Sequence, residues 1–291
     1  MRVGVVILPD QRWVEAEPIW HECEALGFAH AWTYDHLTWR DLRDGPWFAA
    51  VPTLTAAAVA TSTIRLGTLV ASPNFRHPVT FSKELMSLDD ISDGRITLGI
   101  GAGGSGWDAS ALGQVPWSAQ ERAARFAEFV EQLDVLLTQP KTESLSGQFY
   151  SAKDARAIPG CVQRPRPPFA IAASGPKGLA LAVQLGQSWV TYGDPKTAAE
   201  SDENSAVAAA GAQMAKLREE CAVQNREFES ISKIYLSGST REPWLSSVSD
   251  FIRLKEKYEE IGFTDLVLHR PRTSEPYKAN LDVYYAIAEL N

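Results

Sequence analysis

The sequence predicts an α/β protein folded as a (β/α)8 TIM barrel, and three observations support this prediction. Short apolar runs alternate with segments of helical periodicity along the 291 residues. The runs are continuously apolar, which is typical of parallel strands that helices cover. Eight such units in a chain of this length favour closure into a barrel over an open, Rossmann-like sheet. We therefore expect a single domain spanning residues 1–291.

The first four βα units follow from these patterns. Strands are predicted at residues 2–9, 30–35, 64–72 and 95–101, and helices at residues 13–26, 52–62, 77–91 and 119–137. Gly27 lies where the first helix should end, because glycine is favoured just past a helix C-terminus. Asp93 and Gly94 form a turn dipeptide directly before the fourth strand.

The second half of the chain continues the alternation. Strands are predicted at residues 169–174, 188–193, 231–237 and 265–270, and helices at residues 177–185, 200–225, 248–261 and 281–290. Two connections are longer than a barrel needs, residues 104–118 after the fourth strand and residues 140–168 before the fifth. We expect both to be insertion loops, because long loops in compact domains are usually functional or disordered.

Charge and composition exclude several classes of function. A formal net charge of −8 gives the chain no overall attraction to nucleic acid or to an anionic membrane surface. No apolar run approaches the roughly 20 residues of a membrane span, and the N-terminus leads into a strand pattern instead of a signal peptide, so we expect a cytoplasmic protein. The histidines show no metal spacing, and three cysteines are expected to be buried hydrophobes: Cys23, Cys161 and Cys221.

A glycine-rich turn follows the fifth predicted strand. Residues just past the strands of a barrel meet on one rim, where ligands bind. Here Ser174, Gly175, Pro176 and Lys177 lead into a helix, whose first amides and neighbouring lysine could bind a phosphate. The alternative is an ordinary βα turn with proline at the first helical position.

A second glycine cluster follows the fourth strand. Gly101, Gly103, Gly104 and Gly106 leave a surface without side chains, on which a flat ring could lie close to the backbone. The alternative is a flexible loop that tolerates glycine. A dinucleotide-binding Rossmann sheet would instead carry its glycines after the first strand.

His36 follows Asp35 at the end of the second strand, where it could pass a proton to a bound ring near neutral pH or be structural. A hydrolase is disfavoured because the chain lacks both a G-x-S-x-G elbow and paired carboxylates at the strand ends. Redox chemistry with a bound coenzyme fits better, because it needs a shaped aromatic slot more than reactive side chains. Seven aromatic residues could line that slot or belong to the core: Trp32, Tyr34, Trp39, Trp47, Phe75, Trp107 and Tyr192.

Four segments resemble the signature segments of the luciferase-like oxidoreductases. They are residues 32–37 (WTYDHL), 64–78 (IRLGTLVASPNFRHP), 93–101 (DGRITLGIG) and 172–176 (AASGP). The resemblance extends over residues 1–193, and beyond them only the βα pattern matches. In two respects the chain departs from the family: it is short, and the loop after the fourth strand lacks an acidic residue directly after its first glycines.

The resemblance implies a coenzyme, either the deazaflavin coenzyme F420 or flavin mononucleotide (FMN). Family members of the deazaflavin branch have a histidine after an aspartate at the second strand, and His36 matches it as the catalytic residue. They also carry a non-proline cis peptide in the third strand, which would fall at Leu69-Val70 or Val70-Ala71. The coenzyme-binding residues implied are Asp35, Leu69, Val70, Ala71, Ser72, Gly101, Ala102, Gly103, Gly104, Ser174, Gly175, Pro176 and Lys177.

The leading hypothesis is an F420-dependent reductase or dehydrogenase that transfers a hydride between the deazaflavin and a small organic substrate. It is favoured by the Asp35-His36 pair and by arginines near the rim, which could bind a polyglutamate tail or form a solvated face: Arg40, Arg43, Arg76, Arg270 and Arg272. The alternatives are an FMN-dependent monooxygenase and a non-catalytic flavin-binding protein. The resemblance also implies a homodimer.

Overall fold

The computed structural model describes residues 1–104 and 106–290. The first half of the chain forms β1 (Arg2–Val6), α1 (Trp13–Ala25), β2 (His30–Thr33), α2 (Ala50–Ala60), β3 (Arg65–Thr68), α3 (Pro78–Ile91), β4 (Ile96–Gly101), α4 (Trp107–Ala111) and α5 (Ala119–Thr138). The second half forms β5 (Lys141–Ser146), β6 (Ser151–Arg156), β7 (Phe169–Ala172), α6 (Pro176–Leu185), β8 (Ser188–Thr191), α7 (Glu203–Val223), β9 (Ser232–Leu236), α8 (Val248–Ile261), β10 (Asp265–His269) and α9 (Leu281–Ala288).

Eight of the strands close into a barrel in the order β1-β10-β9-β8-β7-β4-β3-β2. The pairs are parallel, as in β1 and β10, where Arg2 lies opposite Asp265 and Val6 opposite His269. Every residue of β2, β4 and β10 is buried, which is the pattern of strands covered by helices. The predicted (β/α)8 fold is therefore confirmed, and the open-sheet alternative is wrong.

The chain divides into two compact units. One consists of Met1–Ile7, His21–Trp32 and the described residues from Ala170 onward, and the other of Leu8–Trp20 and Thr33–Phe169. The second unit contains the ends of β2, β3 and β4, and with them most of the residues that the sequence singles out.

In the first unit, Asp265 at the start of β10 anchors a buried polar chain. Its carboxylate contacts Arg2 Nε at 2.8 Å and His30 Nε2 at 3.1 Å, and the indole of Trp32 donates to His30 Nδ1 at 2.7 Å. Burial alone would raise the pKa of Asp265, but the hydrogen bonds from His30 and Arg2 outweigh it and lower the pKa to about 2. Asp265 is therefore a charged anchor at neutral pH.

Another buried carboxylate of the first unit holds the segment between β9 and α8. Glu242 accepts hydrogen bonds from the hydroxyls of Tyr235 and Tyr258, each at 2.8 Å. Burial raises the pKa of both phenols far above their ordinary value, and the Glu242 carboxylate adds to the rise, so both stay neutral donors. We regard this cluster as structural, because all three side chains are buried.

The two long connections contain regular structure that the sequence does not predict. Residues 141–156 form an antiparallel hairpin of β5 and β6, and α4 lies in the connection after β4. The hairpin strands are mostly exposed, so they lack the apolar alternation that reveals a strand. The carboxylate of Glu128 on α5 accepts from the amides of Gln148 and Tyr150 at 2.8 and 2.7 Å, which fixes the hairpin turn to that helix.

The three cysteines are buried, as expected. Burial raises the pKa of the Cys23 and Cys161 thiols to about 11, so both are inert thiols at neutral pH. Among the described residues, no helix is long and apolar enough to cross a membrane. No His, Cys, Asp and Glu side chains within residues 1–104 and 106–290 are grouped so that they could hold a metal ion.

Candidate functional site

His36 lies three residues past the end of β2 and is held by a carboxylate from the connection after β4. The distance from His36 Nδ1 to Asp108 Oδ2 is 3.0 Å. The other carboxylate oxygen of Asp108 accepts from the backbone amide of Leu37 at 2.8 Å. The Asp108 side chain is 4% exposed and the His36 side chain 22% exposed, so the carboxylate is enclosed while part of the imidazole reaches the surface.

Asp108 is charged at neutral pH. Burial works to raise its pKa, but hydrogen bonds from His36 and from the amides of Leu37 and Thr38 lower it below the ordinary value for aspartate. An ionised carboxylate only accepts hydrogen bonds, so His36 donates through Nδ1–H. The sequence does not reveal this partner, because 72 residues separate the two side chains along the chain.

Asp35, next to His36, forms a buried ion pair with Arg76. Arg76 Nη2 donates to Asp35 Oδ1 at 3.0 Å, and Nη1 lies 2.5 Å from Oδ2. The guanidinium lies over the rings of Phe75 and Phe81, 4.4 and 4.5 Å from their centroids. Burial raises the pKa of Asp35 above its ordinary value, and Arg76 opposes this rise. This pair ties the end of β2 to the segment after β3.

The expectation that the arginines could bind a polyglutamate tail is wrong for Arg76. Its side chain is only 10% exposed and is paired with Asp35. Arg270 is likewise engaged, 3.2 Å from Glu22, with its side chain 18% exposed. Arg40 and Arg43 lie over the rings of Trp39 and Trp107, and Arg43 also faces Asp44 at 3.6 Å.

The segment after β3 carries the expected cis peptide. The bond between Leu69 and Val70 is cis, the first of the two positions implied by the family resemblance. Leu69 N–H donates to Thr33 O and Ala71 N–H donates to Gly99 O, both at 2.8 Å, so the segment stays bonded to its neighbours on either side. Ala71 and Ser72 are buried, and Val70 is partly exposed.

The glycines after β4 form a cradle of bare backbone. Gly103 has φ +79°, which favours glycine, and a Cβ built on it would lie 2.4 Å from the Asn74 side-chain nitrogen, so a larger residue would also have to displace that side chain. A Cβ on Gly104 would meet nothing within 4 Å, which leaves open space beside an exposed backbone. Gly101 is buried at the end of β4, and Ala102 is partly exposed. This cradle suits the close approach of a flat ring or chain, whereas Ser105 beside it lies outside the described residues.

In the first unit, the start of α6 offers exposed backbone amides. Gly175 is the N-cap, without a side-chain cap, and Pro176 is the first helical residue. Ser174, Gly175, Pro176 and Lys177 are all exposed. In an α-helix the first N–H groups have no intrahelical acceptor, so the Lys177 amide and the Lys177 ammonium could both meet an anion. A Cβ on Gly175 would meet nothing within 4 Å, which leaves room for such a group.

The aromatic residues that could line a slot separate into core and surface. Trp32 and Tyr34 are 2% and 6% exposed, so they belong to the core. Trp39 stacks on Trp47, with their centroids 6.0 Å apart, and the Trp47 indole donates to the backbone oxygen of His36 at 2.8 Å. Trp107, beside Asp108, is 41% exposed. Trp47 is therefore hydrogen-bonded to His36, the buried Tyr34 ring meets the His36 imidazole edge-on, and Trp107 is an exposed aromatic residue next to Asp108 in sequence.

At the end of β10, His269 is occluded. Its ring is stacked on Tyr277, with centroids 3.6 Å apart, and is 3% exposed. Burial lowers the pKa of His269 to about 3, so this histidine is neutral at physiological pH. His269 is a packing residue, whereas His36 combines partial exposure with a carboxylate partner.

Comparisons with known proteins agree with the resemblance. The model of the luciferase-like monooxygenase family matches residues 1–224. An F420-dependent glucose-6-phosphate dehydrogenase from Beutenbergia cavernae is 29% identical over 87% of this chain and 86% of its own. A 5,10-methylenetetrahydromethanopterin reductase from Archaeoglobus fulgidus is 30% identical over 70% of this chain and 57% of its own. The solved structure of a coenzyme F420-dependent tetrahydromethanopterin reductase from Methanopyrus kandleri superposes with a TM-score of 0.74 at 17% identity, covering 99% of this chain and 96% of that one.

Proposed function

We propose that this chain, which belongs to the luciferase-like monooxygenase family, is an oxidoreductase that uses coenzyme F420. It transfers a hydride between the deazaflavin and a small organic substrate. The observation that carries the proposal is the likeness to an F420-dependent dehydrogenase over most of both chains. It is supported by His36, which is partly exposed and held by a buried carboxylate at the end of a barrel strand.

The proposed coenzyme contacts fall into two groups. For the ring and its chain we propose the partly exposed or exposed Val70, Ala102, Gly103 and Gly104, supported by the adjoining buried residues Leu69, Ala71, Ser72 and Gly101. For the phosphate we propose the start of α6, at Ser174, Gly175, Pro176 and Lys177. Asp35 contributes to the coenzyme site indirectly, because its bond to Arg76 ties the end of β2 to the segment after β3. The bound deazaflavin supplies the hydride chemistry, and His36 exchanges the accompanying proton.

Turnover tests the function. The purified protein is loaded with oxidised F420 and offered a panel of alcohols, and with reduced F420 it is offered imines and enones. We expect F420 absorbance to change only when a substrate is present. The rate of this change should fall by about 10²-fold or more in His36→Ala. It should be unchanged in His21→Ala, because His21 is exposed on α1. Coenzyme uptake without hydride transfer from any compound would favour the non-catalytic binding protein.

The phosphate contact has its own test. Lys177→Ala should weaken F420 binding by about tenfold, the scale of one charge-assisted hydrogen bond. It should leave the affinity for a deazaflavin riboside without phosphate unchanged. Lys83→Ala removes an exposed lysine on α3 and serves as the control. An equal loss of affinity for both ligands would argue against a phosphate at the start of α6.

The second candidate function is an FMN-dependent monooxygenase, which the family description itself favours. Such an enzyme takes FMN in preference to F420 and consumes oxygen when reduced flavin is supplied.

We further propose that the chain is a single domain, residues 1–291, and forms a cytoplasmic homodimer. Light scattering on the purified protein measures its mass against the 31.9 kDa of one chain.

A further inference from the structure

We propose that Asp108 is a positioning residue that fixes the tautomer of His36, so that the imidazole exchanges the substrate proton through Nε2. This inference rests on the proposed function, in which His36 handles that proton. It adds a residue that neither the family resemblance nor the sequence pattern assigns, and it specifies which nitrogen reacts.

The two oxygens of Asp108 have separate partners. Oδ1 accepts from the Leu37 amide at 2.8 Å, and Oδ2 faces His36 Nδ1 at 3.0 Å. Leu37 follows His36 directly in the chain, so the bond to its amide aligns the carboxylate with the imidazole through the backbone. Since Asp108 is 4% exposed, solvent does not compete effectively for these bonds.

The protonation state follows from the acceptor character of the carboxylate. Asp108 stays ionised, because its hydrogen bonds lower its pKa despite burial. The proton on Nδ1 is therefore retained when the imidazole is neutral, and Nε2 then carries the lone pair. In the oxidation of an alcohol, Nε2 would accept the hydroxyl proton while the carbinol carbon gives its hydride to the oxidised deazaflavin of the proposed function. In the reverse reaction Nε2 returns that proton, so atoms and charge balance in both directions.

Two further groups help to hold the imidazole in place. The Trp47 indole donates to the His36 backbone oxygen at 2.8 Å, and the Tyr34 ring meets the imidazole edge-on at 6.4 Å between centroids. Asp35, next to His36 in the chain, is paired with Arg76, whose Nη2 donates to Asp35 Oδ1 at 3.0 Å. Asp108 is the carboxylate whose hydrogen bond reaches the His36 imidazole itself.

Asp108→Asn tests the tautomer in a specific way. The Leu37 amide would hold the oxygen of the new side chain, because only an acceptor satisfies that donor. The NH2 group would then face His36 Nδ1 and donate to it, so the imidazole proton must move to Nε2. The substitution therefore reverses the tautomer with little change in volume.

The primary measurement is nitrogen NMR of protein labelled with ¹⁵N in its five histidines, with His36→Gln used to assign the signals. We expect Nδ1–H in the wild-type neutral imidazole and Nε2–H in Asp108→Asn. Asp90→Asn, the same chemical change at an exposed site on α3, should leave the signals in place. An Nε2–H wild-type imidazole, or an unchanged tautomer in Asp108→Asn, overturns the proposal. The wild-type measurement stands even if the variant folds poorly.

The second measurement is single-turnover hydride transfer with loaded coenzyme. Asp108→Asn should lower the rate constant by about 10²-fold or more while F420 affinity changes less than about twofold, and it should add nothing to the defect of His36→Ala. A reversed tautomer with an unchanged rate overturns the role in proton exchange. If the wild-type protein takes up no F420, the proposed function fails, and the NMR result alone then decides whether Asp108 sets the tautomer.

Discussion

Replacing Asp265 by asparagine tests whether the buried polar chain at the start of β10 stabilises the fold through its charge. Asp265 has a folded pKa of about 2 against an ordinary value of 3.8, because the bonds from His30 and Arg2 outweigh burial. A carboxyl whose pKa is lowered by folding contributes its full stability above the unfolded pKa and loses it as the pH falls through the folded value. The difference between the folded and unfolded pKa of Asp265 therefore contributes about 2 kcal/mol to the free energy of unfolding at pH 7 and about 1 kcal/mol at pH 3.

The assay is urea unfolding of the wild-type protein, Asp265→Asn and Asp44→Asn at pH 7 and pH 3. We expect the free-energy gap between wild type and Asp265→Asn to narrow by about 1 kcal/mol on acidification, most of it below about pH 4. Asp44 is 90% exposed, so Asp44→Asn controls for the general effect of losing a charge. A gap that is the same at both pH values would refute the electrostatic reasoning.

Three further predictions concern the second unit. Arg76→Met leaves Asp35 buried without its counter-ion and should lower the free energy of unfolding by about 3–5 kcal/mol; full stability in chemical denaturation would contradict the pairing. Glu128→Ala removes the acceptor for the amides of the hairpin turn, so limited proteolysis should cut there faster, whereas unchanged cleavage would show that the turn is held by other contacts. Gly103→Ala should weaken F420 binding more than Gly113→Ala, because both glycines have positive φ but only Gly103 meets a neighbouring side chain; equal affinities by fluorescence titration would count against the cradle.

The barrel could be predicted because its strands are buried along most of their length, and β2, β4 and β10 at every residue, so their apolar runs stand out. The predicted strands at residues 30–35 and 64–72 extend past the observed β2 and β3. The residues there stay mostly buried, although they include Asp35 and Ser72, but the regular strands end at Thr33 and Thr68. Periodicity records burial and not hydrogen bonding, so it places strands better than it places their ends.

The site was predicted only in part, because its polar contacts join distant segments. His36 could be singled out from its place after a strand. Its partner Asp108 could not, since it lies in the connection after β4, within a helix of five residues. Similarly, an arginine such as Arg76 is expected to be solvated at the surface, and only the fold shows that it is buried against Asp35. Pair contacts of this kind depend on the closure of the chain and leave no local pattern.

The affinity of the purified protein for its coenzyme decides the proposed function. Oxidised F420 and FMN are titrated separately into the wild-type protein, and binding is followed by fluorescence. We predict saturable binding of F420 at concentrations at least tenfold lower than those needed for FMN. Tight binding of FMN with no uptake of F420 would contradict the proposed function and favour the FMN-dependent monooxygenase.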